Sequence, residues 1–145
     1  MTMLSSQHAQ KFVELYQKLD KNNLALLTSI YHPDIQFIDP LHEINGLDQL
    51  KAYFANLYQN IDSIEFEIHQ RFEVNNHLIL YWQMTFSHPK LKSGKNIIVD
   101  GNSQIEFHNG LVTFHRDYFD TNAMLFEHIP LLGSLIRYIK SRVNK

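Results

Sequence analysis

Between residues 64 and 120 the chain alternates apolar and polar side chains through four successive segments divided by turn residues, a pattern that few folds can accommodate. Ile64, Phe66, Ile68 and Phe72 alternate with Glu65, Glu67, His69, Arg71 and Glu73. Successive side chains of a strand point to opposite faces, so this segment predicts a strand with one wet face. Asn75-Asn76 then turns into Leu78, Leu80, Trp82, Met84 and Phe86, whose opposite face (Ile79, Tyr81, Gln83, Thr85) carries no charge, as expected of an interior strand. After a turn at Ser93-Gly94, Ile97, Val99, Gly101, Ser103, Ile105 and Phe107 share one face of a long strand. Asn109-Gly110 is the strongest hairpin signal, because both residues tolerate the positive φ of a two-residue turn. It sends the chain back as Leu111 to Asp120. Four strands in meander order need an apolar cover on their inner face.

Helical spacing on either side supplies that cover. Phe12, Leu15, Tyr16 and Leu19 recur at three-to-four spacing and predict a helix from Ser6 to Asp20 with Tyr16 in its buried stripe. A second short helix through Leu24, Leu27, Ile30 and Tyr31 is expected to end before His32-Pro33, since the residue before proline resists the helical region. Ile35 to Asp39 forms a short strand closed by Pro40. Asn45-Gly46 opens a helix with Leu47, Leu50, Tyr53, Phe54 and Leu57 on one side and Asp48 in the first turn, where it suits the helix dipole. Asp120 is placed to cap a further helix. Helices followed by an antiparallel meander make an α+β domain. With no internal repeat or linker, one domain is expected over 1–145, with its core in about 8–128 and an amphipathic C-terminal helix at about 131–144.

Composition narrows the function classes. Hydrophobic residues make up 44% of the 145, enough for one real core. Thirteen basic against fifteen acidic side chains give no electrostatic footprint for nucleic acid, so a small molecule or another protein is the expected partner. There is no cysteine, hence neither disulfide nor thiolate chemistry. The N-terminus lacks the apolar core of a signal peptide and no run of 18 apolar residues occurs, which makes a cytoplasmic location the expectation. Nine histidines are scattered without ligand spacing, and neither a metal nor another cofactor is implied.

Phe37-Ile38-Asp39-Pro40, Gly46 with Leu50 to Phe54, and the hairpin ending in His115-Arg116-Asp117-Tyr118-Phe119-Asp120 resemble the SnoaL-like branch of the nuclear transport factor 2-like superfamily, over about residues 8 to 128. The resemblance implies a cone-shaped, cystatin-like fold, a curved antiparallel sheet wrapped by N-terminal helices. It also implies a ligand site inside the cone. Ketosteroid isomerases of this superfamily place a general base at the position of Asp39 and an oxyanion-holding tyrosine at that of Tyr16, and Ser103 stands about where their second oxyanion donor is. Limonene-epoxide hydrolase has its acid at the position of Asp117, but here Trp82 and Met84 stand where its arginine and second aspartate would be, so that relay is not assembled. On that resemblance these replacements would line the cone instead. Phe37, Leu80, Trp82, Met84, Phe86 and Phe119 are the expected apolar walls, with Tyr16, Asp39, Ser103, His115 and Asp117 converging inside. Such a site suits a small, mostly apolar molecule carrying one or two oxygens. Isomerase-like acid–base chemistry by Asp39, Asp117, His115 and Tyr16 is the expectation; the alternative is a non-catalytic ligand-binding or protein-interaction module.

Two surfaces remain. Periodicity alone buries Val112, Phe114 and Tyr118 of the last strand, whereas the resemblance turns His115, Asp117 and Phe119 to the pocket. Both hold if the outer face is covered as well. Tyr81, Gln83, Thr85, Gln104, Val112, Phe114, Arg116 and Tyr118 would then form a homodimer contact, as in relatives that pack sheet against sheet. The C-terminal helix, with Arg137, Lys140, Arg142 and Lys145 at its far end, is expected to dock on the sheet, the alternative being a weak membrane-surface contact.

Overall fold

The computed structural model describes residues 6–125, 128 and 132–143. Helix α1 (Ser6–Lys18) leads through a 3₁₀ turn (Leu24–Ser29) into strand β1 (Tyr31–Ile38), the short strand β2 (Glu43–Asn45) and helix α2 (Leu47–Asn60). The meander follows as β3 (Ser63–Val74), β4 (His77–Ser87), β5 (Ile97–His108) and β6 (Leu111–Phe119), then α3 (Thr121–Met124) and α4 (Leu132–Val143). All six strands form one curved sheet in the order β2-β1-β6-β5-β4-β3. Neighbours are antiparallel except β1 and β6, which run parallel. The α+β cone is as expected. The parallel pair and β2 lie outside what alternation can reveal.

The core lies between the inner sheet face and the helices. Phe12 and Leu15 of α1, Leu50 and Phe54 of α2, and Leu78, Leu80 and Ile105 of the sheet are all buried. Gly46 precedes α2 with φ +94°, a conformation that favours glycine. Asp120 caps α3 by accepting from the backbone N–H groups of Asn122 and Ala123.

Four expectations change. The second helix is a 3₁₀ turn that stops at Ser29, and the strand begins at Tyr31 rather than Ile35. Pro33 is tolerated because Tyr31 pairs with Val112 and Gln36 with Phe114, so the residues between bulge off the ladder. In β3, a bulge at His69 reverses the side-chain phase: Ile68 faces Trp82 but Gln70 faces Tyr81. Phe72, expected with Ile64 and Phe66, is therefore carried to the outer face, half exposed and edge-on to Tyr81. In β6 a bulge at Thr113 does the same, since Phe107 pairs with Val112 and Glu106 with Phe114. Val112 is thus buried inside and leaves the expected outer patch, yet His115, Asp117 and Phe119 also turn inward. Finally, α4 is not docked by its apolar stripe. Leu135, Ile139 and Val143 are 54%, 49% and 76% exposed. Pro130 and Leu131 fall outside the described residues. Among the described residues no helix is long and apolar enough to cross a membrane.

Candidate functional site

A cavity of about 430 Å³ opens between the inner sheet face and α2. Its walls come from the inward-facing positions of four strands: Phe37 of β1, Phe66 of β3, Trp82 and Met84 of β4, and Phe119 of β6, closed on the helical side by Phe54. Of the expected apolar lining only Leu80 is set back from it, beside a small void next to Ser103 and His115. Trp82 can lie flat on the sheet because its cross-strand neighbour is Gly101: a Cβ there would sit 2.3 Å from the Trp82 ring.

The polar groups fall into two clusters. In the first, the Trp82 indole N–H donates to Ser103 Oγ at 2.9 Å, and the Ser103 hydroxyl donates to Asp117 Oδ1 at 2.5 Å. His115 Nε2 reaches the same oxygen at 2.6 Å, and His115 Nδ1 lies 2.7 Å from Tyr31 Oη, which in turn is bonded to Tyr16 Oη. Alternation in β5 and β6 and their register place Ser103 opposite Asp117. Parallel pairing sets Tyr31 of β1 beside Val112, and from there its ring stacks on that of His115. Asp117 Oδ1 is held twice, while Oδ2 accepts nothing among the described residues, and Asp117 lines the cavity. Burial, with the charge of Asp117 adding to it, pushes the Tyr16 and Tyr31 phenols well above their ordinary range, so both remain neutral hydrogen-bond donors.

The second cluster surrounds Asp39. Its Oδ1 accepts from the backbone N–H groups of Leu41 at 2.8 Å and His42 at 2.7 Å and from His42 Nδ1–H at 3.1 Å; its Oδ2 accepts from Tyr53 Oη at 2.9 Å. This carboxylate, 8% exposed, ties down the turn after β1. Burial, then the Asp39 charge, pushes the Tyr53 phenol far above its ordinary range, which keeps it a donor to that carboxylate.

Of the sequence-derived site residues, Tyr16, Phe37, Asp39, Trp82, Met84, Asp117 and Phe119 line the main cavity. Ser103 and His115 stand behind Asp117 instead. The single Ser103 hydrogen is spent on Asp117, which removes this hydroxyl from the expected role of donor to a ligand. Tyr31 and Tyr53 were not among the expected polar groups. Tyr53 had the helical spacing of a core residue, and nothing local marks Tyr31. Among the described residues no three His, Asp or Glu side chains converge to hold a metal ion.

The sequence pattern of the SnoaL-like domain family matches residues 10–115. The chain belongs to the SnoaL-like domain family. Solved structures agree on the fold. A proposed SnoaL-like polyketide cyclase from Jannaschia sp. CCS1 superposes with a TM-score of 0.74 at 13% identity, over 86% of this chain and 93% of that one. An NTF2-like protein of unknown function from Burkholderia pseudomallei K96243 gives 0.73 at 17% identity, over 83% and 96%. A protein of ketosteroid isomerase-like fold from Catenulispora acidiphila DSM 44928, in complex with trimethylamine, gives 0.71 at 13% identity, over 84% and 92%. Against curated protein sequences the chain has no match. Within the SnoaL-like family, this cone thus combines an apolar cavity with a carboxylate, Asp117, pinned from behind through one oxygen and without a partner on the other among the described residues.

Proposed function

We propose that the cone binds a small, mostly apolar carbonyl compound and moves a proton at the carbon beside its carbonyl group. Asp117 Oδ2 takes the proton, the electron pair of the broken C–H bond passes into the carbonyl as an enolate, and the Tyr16 phenol holds the enolate oxygen. Returning the proton to another carbon would complete an isomerisation. The observation that carries this reading is the asymmetry of Asp117: Ser103 and His115 fix one oxygen and leave the other to the cavity. A positioned base with one free oxygen is what proton abstraction requires. Asp39, the position of the base in ketosteroid isomerases, is less suited here because both its oxygens are occupied. Polyketides, named for the Jannaschia relative, are one class of carbonyl substrate that fits an apolar cavity of about 430 Å³.

Exchange of the methyl hydrogens of 2-acetylnaphthalene in deuterated buffer, followed by proton NMR, tests the proposal. The protein should accelerate exchange above buffer, and Asp117→Asn should remove about 10²-fold or more of that acceleration. Asp39→Asn should act mainly through stability. No acceleration, or an equal rate in Asp117→Asn, would contradict the reading; saturable binding without exchange would favour the non-catalytic binding module.

A further inference from the structure

Behind Asp117 a single line of hydrogen bonds runs back to the cavity, from Asp117 Oδ1 through both nitrogens of His115 to Tyr31 Oη and Tyr16 Oη. Each phenol has one hydrogen, so the line can point in only two directions. A carboxylate oxygen accepts, and Asp117 Oδ1 already accepts from Ser103, so the hydrogen between it and His115 sits on Nε2. If the ring is neutral, Nδ1 is then a bare acceptor. Tyr31 must donate to it and Tyr16 to Tyr31, which leaves Tyr16 nothing but a lone pair for the cavity. If the ring is cationic, Nδ1–H donates to Tyr31, Tyr31 donates to Tyr16, and the Tyr16 hydrogen is released toward the cavity.

We propose that protonation of His115 reverses this line and converts Tyr16 from an acceptor into a donor toward the bound molecule, with Tyr31 as the positioning residue that transmits the change. The proposal deepens the reading of the cone as a carbonyl site and rests on it for the class of ligand: a ketone or enolate oxygen, which only accepts, is bound together with a proton. A hydrocarbon of the same shape is not. Burial keeps both phenols protonated, so neither supplies the change of charge. Among the described residues the titratable groups meeting the His115 ring are Asp117 of β6, Tyr31 of β1 and Tyr16 of α1. Phe12 of α1 and Phe37 of β1 pack against it, and β5 presents the neutral Ser103 and Ile105. Asp39 and His42 from the turn after β1, Tyr53 and Tyr58 of α2, and His88 after β4 line the same cavity, so assignment of the proton needs variants in the line itself.

The first test uses the free protein. Long-range ¹⁵N NMR should find the neutral His115 ring as the Nε2–H tautomer, with Nδ1 gaining its hydrogen as pH falls; an Nδ1–H tautomer would overturn the proposal, since the line would then face the cavity with no change of charge. The second is calorimetry between about pH 5 and pH 9, in buffers of differing ionisation heat, with 2-acetylnaphthalene and its hydrocarbon counterpart 2-isopropenylnaphthalene. The ketone should take up as much as one proton per site and lose about tenfold in affinity per pH unit once His115 is neutral in the free protein. The hydrocarbon should show neither effect, and Tyr31→Phe should abolish the linkage while hydrocarbon affinity persists. Equal uptake for both ligands, or uptake unchanged in Tyr31→Phe, would refute the proposal. Failure of both ligands to bind would count against the carbonyl site itself, and the tautomer would still decide the fate of the His115 line.

Discussion

Asp39 and Asp117 both line one cavity, and their neighbours separate them. Asp39 sits where the chain turns at Pro40, and the free backbone N–H groups of that turn claim its carboxylate. Asp117 sits within a strand whose own N–H groups are engaged in the sheet, so only side chains can hold it. The sequence does not separate the two, since the resemblance gives Asp39 the base position and sets both in the site; the inward set His115, Asp117 and Phe119 likewise rests on the resemblance, apolar periodicity favouring the opposite face. Tyr31 was not legible, because its place depends on pairing with a strand some eighty residues later. Trp82 depends on a neighbour in a similar way. Gly101→Ala should force the ring off its seat, break its bond to Ser103 and cost about 1–3 kcal/mol of stability. Denaturant unfolding followed through Trp82, the sole tryptophan, measures both the stability loss and the changed surroundings of the ring. An unaltered emission spectrum and midpoint would show that the ring does not need that space.

At the scale of elements, alternation correctly identified every strand of the meander, yet it misplaced Phe72 and Val112. A bulge adds one residue and turns every later side chain to the opposite face, and neither His69 nor Thr113 is the glycine that would mark a bulge in the sequence. The bulge in β6 resolves the conflict between apolar periodicity and an inward His115. Val112 obeys the phase before it, and His115, Asp117 and Phe119 the phase after it. Helix α4 is amphipathic, as its sequence predicts, but its cover is not fixed by pattern. An apolar stripe records that a surface is suited to burial and not which surface covers it, and that of α4 stays largely exposed.

For the whole molecule, the outer sheet face carries Tyr81, Ile98 and Tyr118 at 45%, 57% and 44% exposure, with Arg116 stacked over the Tyr118 ring. Aromatic side chains and arginine on an open sheet have the composition of a subunit contact. Light scattering at micromolar concentration is expected to give about twice the 17.1 kDa chain mass, and Ile98→Glu with Tyr118→Glu should return the monomer. A monomeric wild type would contradict that arrangement. On the inner face, the cone between β4, β6 and α2 is the proposed site for a small apolar carbonyl compound. Titration of the protein with 2-acetylnaphthalene, observed by ¹H–¹³C and ¹H–¹⁵N NMR, addresses it most directly. Saturable shifts are expected at the Met84 methyl and the Trp82 ring, with direct ligand contacts to the Met84 methyl and the Trp82 ring protons and with Ile98 and Tyr118 unmoved; shifts confined to the outer face, with Met84 and Trp82 unchanged, would contradict a site in the cone.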